Sequence, residues 1–146
     1  MKLAVLNGPN LNLLGTREPD IYGTTTLADI EARLRAVSRE LGVELSFHQT
    51  NHEGALIDAI HAQRGVCDGI IINAGAWSHS SLAIRDALSA VAIPFVEVHL
   101  SNIFAREPER RHTVLAAGAQ AILCGFGAFG YELALRGLVA RLAARG

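Results

Sequence analysis

Lysine is almost absent. Of the 13 basic side chains only Lys2 is a lysine, and the rest are arginines. Imine chemistry needs a lysine amine at the reacting centre. Lys2 opens the first apolar run, away from any plausible catalytic edge, so the chain is not built for a Schiff base. Arginine is the better fork for a carboxylate, because its planar donors take both oxygens at once. Cysteine is scarce too. Cys67 and Cys124 lie in apolar segments far apart in sequence and are expected to be buried, reduced thiols of a cytoplasmic protein. No stretch reaches the roughly 20 apolar residues of a membrane span. The opening run Met1–Asn7 is too short for a signal peptide. With a net charge of −1 there is no footprint for nucleic acid and no polybasic segment for a membrane surface.

What is present is an alternation of apolar runs with segments of helical period. Strands are predicted over Lys2–Asn7, Val43–Gln49, Gly69–Ala74, Phe95–His99 and Gln120–Cys124. Helices are predicted over Leu27–Leu41, Glu53–Arg64, Ser80–Ala92 and Ala128–Ala144. Thr26 and Asp29 have the spacing of a capping box, and Gly42 is a good stop. The second strand alternates Val43, Leu45 and Phe47 with Glu44, Ser46 and His48, the pattern of a half-exposed sheet edge. Ile70-Ile71-Ile72 reads as a strand covered on both faces. Such alternation implies an α/β fold: one domain, residues 1–146, with a parallel sheet between two helical layers. Five strands with the second at an edge fit a flavodoxin-like three-layer sandwich of order 2-1-3-4-5. In these sheets ligands bind beyond the carboxyl ends of the strands, at the switch point between strands 1 and 3.

The segments that follow the strands therefore carry the functional reading. After strand 1, residues 7–23 form a connection much longer than the usual two to six residues. It carries Asn7, Asn10 and Asn12 with Arg17 and Tyr22. After strand 3, Asn73-Ala74-Gly75-Ala76 lets a ligand approach the backbone. Asn73 and His79 offer neutral hydrogen-bonding groups there, and the amides of Ser80 and Ser81 lie near a helix N-terminus. The plainer alternative is that Asn73 pins a turn and Ser78 or Ser80 caps the helix. At the end of strand 4, Glu97 and His99 share a face. A carboxylate behind an imidazole fixes its tautomer and makes it a better proton donor. Asn102–His112 follows with Arg106, Arg110 and Arg111, either a solvated charged loop or arginines reaching the same site.

Two further patterns lead nowhere. His48 and His52 are four apart but straddle a strand end and lack a carboxylate or thiolate set, so no metal is expected. Gly125-Phe126-Gly127-Ala128-Phe129-Gly130 matches G-x-G-x-x-G, but the dinucleotide fingerprint belongs on the first strand with an acid roughly 20 residues on. These glycines are read as allowing close helix–sheet packing.

Taken together, Asn7-Gly8-Pro9-Asn10-Leu11-Asn12-Leu13-Leu14-Gly15, Arg17-Glu18-Pro19 and Tyr22-Gly23 resemble the opening signature of the type II 3-dehydroquinate dehydratases. Asn73-Ala74-Gly75-Ala76 with His79-Ser80-Ser81, and Glu97–Asn102 with Arg106 and Arg110-Arg111-His112, resemble that family's later blocks, in its order. The resemblance implies a cofactor-free hydro-lyase of the shikimate pathway that converts 3-dehydroquinate to 3-dehydroshikimate through an enolate. It implies Tyr22 as general base, Arg17 as transition-state stabiliser and Asn10 as holder of an enolate-stabilising water. His99 becomes the general acid, positioned by Glu97. Asn73, His79, Leu100, Ser101 and Arg110 become substrate-binding residues, and Asp86 reaches a neighbouring subunit's site. The implied assembly is a homododecamer, a tetramer of trimers.

Rival readings differ at named positions. A flavodoxin-like small-molecule or flavin-binding module would carry a Ser/Thr-rich phosphate loop after strand 1, where this chain has Asn-Gly-Pro-Asn. A phospho-acceptor domain needs acids after strand 1, an Asp after strand 3 and a Lys after strand 5, where Asn7, Asn73 and Cys124-Gly125 stand.

Overall fold

The computed structural model describes residues 1–16 and 19–146, and the side chains of Ile21 and Tyr22 lie outside that description. Five strands form one parallel sheet: β1 (Lys2–Asn7), β2 (Glu44–Gln49), β3 (Gly69–Asn73), β4 (Phe95–His99) and β5 (Ala121–Cys124), in the order β2-β1-β3-β4-β5. The helices are α1 (Pro19–Tyr22), α2 (Leu27–Leu41), α3 (Glu53–Ala62), α4 (Leu82–Val91) and α5 (Phe129–Ala143).

Alternation along the strands makes the two core layers. Leu3, Val5, Ile71, Val96 and Val98 face α2 and α5 and meet Ile30, Leu34, Leu135 and Leu138. Ala4, Leu6, Ile70, Ile72 and Phe95 face the other way, against Leu56 and Ile60 of α3 and Ile84 and Leu88 of α4. β3 and β4 are buried throughout, whereas β2 alternates exposed and half-buried residues, as expected of an edge.

Local chemistry sets the helix limits. Thr26 Oγ1 accepts from the Asp29 amide at 3.1 Å, and Asp29 accepts from the Thr26 amide at 3.0 Å, so the capping box is complete. Gly42 ends α2 at φ 70°. α4 begins two residues later than its periodicity predicts, because Gly75–His79 forms a 3₁₀ turn and Ser81, not Ser78 or Ser80, caps the helix through the Ile84 amide. Cys67 and Cys124 are free thiols but half-buried rather than buried. No helix is long and apolar enough to cross a membrane among the described residues.

Candidate active site

The cavity lies where the loops after β1, β3 and β4 meet. It holds about 110 Å³, room for one compact molecule and not for a dinucleotide. Asn10, Asn73, His79, His99, Leu100, Ser101 and Arg110 all line it, so seven residues singled out in the sequence come together. Arg106 lines it as well, and the two guanidinium groups, which share the one carboxylate of Glu107 at 2.6 Å from Arg110 and 3.8 Å from Arg106, leave among the described residues an excess of positive charge that favours an anionic ligand.

The approach of the β1 and β3 loops depends on glycine. A Cβ on Gly8 would stand 2.5 Å from the Ala74 carbonyl oxygen, a contact that only a bare backbone avoids. Gly8 then donates to the Asn73 carbonyl at 2.8 Å. Asn10 adopts φ 69°, a left-handed conformation asparagine tolerates. Its amide donates to Asn51 Oδ1 at 2.9 Å. Gln49 Nε2 donates to the Gly8 carbonyl at 3.1 Å. Gln49 at the end of β2 and Asn51 just beyond it thus hold the β1 loop in place, a role invisible in spacing.

Glu97 and His99 make the buried pair their shared face predicts. His99 Nε2 lies 2.5 Å from Glu97 Oε2, and Glu97 is fully buried. With Nε2 committed to the carboxylate, Nδ1 is the nitrogen left for the cavity. The second Glu97 oxygen accepts from the Thr113 hydroxyl at 2.9 Å.

His79 stacks on His99 with ring centroids 5.8 Å apart. Its Nδ1 donates to the His112 carbonyl at 2.6 Å, and His112 Nε2 returns a bond to the His79 carbonyl at 3.0 Å. Burial depresses the His79 pKa; the His112 carbonyl opposes that, and His99 and Arg110 add to it. His79 is therefore neutral at neutral pH, with Nδ1 protonated and Nε2 an acceptor.

Asn73 is equally fixed. Its Oδ1 accepts from the Gly75 amide and its Nδ2 donates to Tyr131 Oη, each at 3.1 Å. Tyr131 in turn donates to Asn7 Oδ1 at 2.5 Å. Burial pushes the Tyr131 phenol far up, so it stays protonated. Tyr131 was missed in the sequence because a single tyrosine on an apolar helix face reads as core.

The remaining candidates are of three kinds. Asp86 is exposed on α4, lines a separate surface groove and pairs with Arg85 at 3.5 Å. Arg17 and the Tyr22 side chain lie outside the described residues. The amides of Ser80 and Ser81 are not open to an anion, because both donate to the Trp77 carbonyl. The three loop arginines also separate: Arg106 and Arg110 line the cavity, while Arg111 Nε turns back to the Arg106 carbonyl at 2.6 Å. Nor does the glycine motif open a nucleotide loop. Gly127 donates to the Leu100 carbonyl at 2.9 Å, and Gly130 packs against Val98. Among the described residues, no group of three or more His, Cys, Asp or Glu side chains could hold a metal.

A parallel α/β sheet with a carboxylate-backed imidazole and arginines at its carboxyl edge defines an enzyme of the acid–base class, directed at a small anion. The family model "Dehydroquinase class II" matches residues 1–139, and the chain belongs to that family. It is 64% identical over 142 residues to the 3-dehydroquinate dehydratase of Gemmatimonas aurantiaca, covering 97% of this chain and 93% of that one. It is 57% identical to the Catabolic 3-dehydroquinase 1 of Aspergillus fumigatus, covering 91% and 89%. The crystal structure of the type II dehydroquinase of Propionibacterium acnes superposes with a TM-score of 0.91 at 47% identity, covering 95% and 96%.

Proposed function

We propose that this chain is a hydro-lyase that dehydrates 3-dehydroquinate to 3-dehydroshikimate in the shikimate pathway, through an enolate and without an imine. Tyr22, as phenolate, takes a proton from the carbon next to the ketone. The electron pair moves onto the ketone oxygen, where a water held by Asn10 stabilises it. As the enolate collapses, the hydroxyl on the following carbon leaves with the proton from His99, and water and a conjugated enone result. Glu97 keeps the imidazole in place. Asn73, His79, Leu100, Ser101 and Arg110 hold the hydroxyls and the carboxylate.

The observation that carries this reading is the buried Glu97–His99 pair, open to a cavity flanked by Arg106 and Arg110. Arg17 supports the base. One guanidinium about 4 Å from a phenolate supplies on the order of 4 kcal/mol at an effective dielectric near 20, before desolvation. Each pKa unit corresponds to about 1.4 kcal/mol, so one or two arginines bring a tyrosine of ordinary pKa near 10 within reach of neutral pH. Lys2 stands at the other end of β1, roughly 17 Å from Asn7 at strand rise, and faces Glu44 at 3.7 Å.

The enzyme acts as a single catalytic domain of the cytoplasm, in a homododecamer, a tetramer of trimers, in which Asp86 serves a neighbouring chain's site. The exposed position of Asp86 on α4, away from its own cavity, supports that role. Among the described residues, nothing in the site favours a flavin-binding module. Appearance of the enone absorbance with 3-dehydroquinate tests the assignment, and borohydride added with substrate should leave the enzyme active. No absorbance change, or inactivation by borohydride, would contradict it.

A further inference from the structure

We propose that Thr113 is a positioning residue for proton donation, acting on His99 through Glu97. This rests on the reading of His99 as the general acid.

Glu97 is fully buried in β4 and has two oxygens to satisfy. One takes His99 Nε2, and the other takes the Thr113 hydroxyl. The hydroxyl proton has a defined direction, because Thr113 Oγ1 itself accepts from the Leu115 amide at 3.1 Å. An oxygen receiving that amide must turn its own proton elsewhere, and Glu97 Oε1 is 2.9 Å away. The carboxylate is thereby held at both ends, and with it the plane of the imidazole.

The backbone around Thr113 is clamped on either side. The Val114 amide donates to the Ser78 carbonyl at 2.8 Å, and His112 exchanges two hydrogen bonds with His79. Residues 112–115 thus form a strap tying the turn after β3 to the middle of β4. Among the described residues, Glu97 lies behind His99, His79 stacks on it, and Arg106 and Arg110 line the same cavity.

A carboxylate that loses one donor holds the proton it shares with an imidazole more tightly. Removing the Thr113 hydroxyl therefore makes His99 a poorer acid and lets its ring turn. Thr113→Val keeps the shape and deletes the hydroxyl, and with it both the bond to Glu97 and the acceptor of the Leu115 amide. It should lower kcat about 10-fold, the scale for leaving one buried charged acceptor short of a donor. KM should stay within about two-fold, since no substrate contact is lost. The alkaline limb of the kcat profile should move to higher pH, and the far-downfield ring N–H proton of the His99–Glu97 bond should be displaced in the NMR spectrum. Thr113→Ser, which keeps the hydroxyl, should restore all three. If the valine variant does not fold, Thr113→Ala is measured in its place.

Wild-type kcat, pH profile and ring proton in a folded Val or Ala variant would overturn the proposal, as would a serine variant that fails to restore them. The ring proton is read without turnover. A displaced proton together with unimpaired turnover in His99→Ala would instead show that the link exists and that His99 is not the acid.

Discussion

The chain has two tyrosines, Tyr22 and Tyr131, and the proposed mechanism sets them to opposite tasks. Tyr131 has no exposed surface, its phenol is wedged between Asn7 and Asn73, and burial holds it protonated. It cannot serve as a base, which leaves Tyr22 as the only tyrosine for that role. Tyr22→Phe should abolish turnover with the thermal transition unchanged, and Arg17→Ala should do the same. Near-normal turnover in Tyr22→Phe would remove the base from the mechanism. Tyr131→Phe should behave in the reverse way, losing about 1–3 kcal/mol of stability as two buried amide groups lose a partner; chemical denaturation measures it. Glu97 with His99 was legible in the sequence because two residues apart on a strand is a contact by geometry. Thr113, His112 and Tyr131 were not, because each reaches its partner across a gap in sequence that no periodicity encodes.

Among the elements, the strands and long helices follow their patterns closely, and β1, α2 and β4 match residue for residue. The differences sit at ends, where a cap and not a hydrophobic stripe decides. α4 is the clearest case: the Trp77 carbonyl takes the Ser80 and Ser81 amides and delays the helix. At its other end Ala92 holds φ 56°, a conformation that costs an L-residue about 1–2 kcal/mol. Ala92→Gly should relieve part of this, raising stability by about 0.5 kcal/mol after the added chain entropy of glycine, read as a small rise in melting temperature with turnover unchanged. Between α2 and α5, Glu132 accepts from Arg33 at 2.8 and 2.9 Å and from Arg136 at 3.2 Å. The Arg33 bonds, with smaller help from Arg136, hold its carboxyl below the ordinary range. A depressed carboxylate contributes stability that is complete above the unfolded-state pKa and is lost as pH falls through the folded one. Glu132→Gln should therefore be destabilised at neutral pH by about 1–2 kcal/mol. Its deficit should shrink as the solution is acidified, in paired urea titrations at neutral and acid pH.

At the scale of the whole molecule, the sheet order concentrates function at one edge. The strands deliver Asn73 and His99 to the same end, and the loops close over them with Asn10, Arg106 and Arg110. The 2-1-3-4-5 order was legible from the half-exposed pattern of the second strand, while the place of Arg106 beside Arg110 in the cavity needed the folded chain. Asp86→Asn should lower turnover while leaving its own cavity and the monomer's fold intact, provided that a neighbouring chain supplies this carboxylate. Mixing it with a His99→Ala chain and assaying reassembled oligomers tests that, since only complementation between chains restores activity. The proposed elimination runs on a phenolate and an imidazolium and needs no imine. It is tested most directly by following the enone absorbance with wild type beside His99→Ala. The wild type should form product steadily, and the variant should lose about 10²- to 10⁴-fold, the range for removing a general acid, with its circular dichroism unchanged. Wild-type rates from a folded His99→Ala enzyme would contradict it.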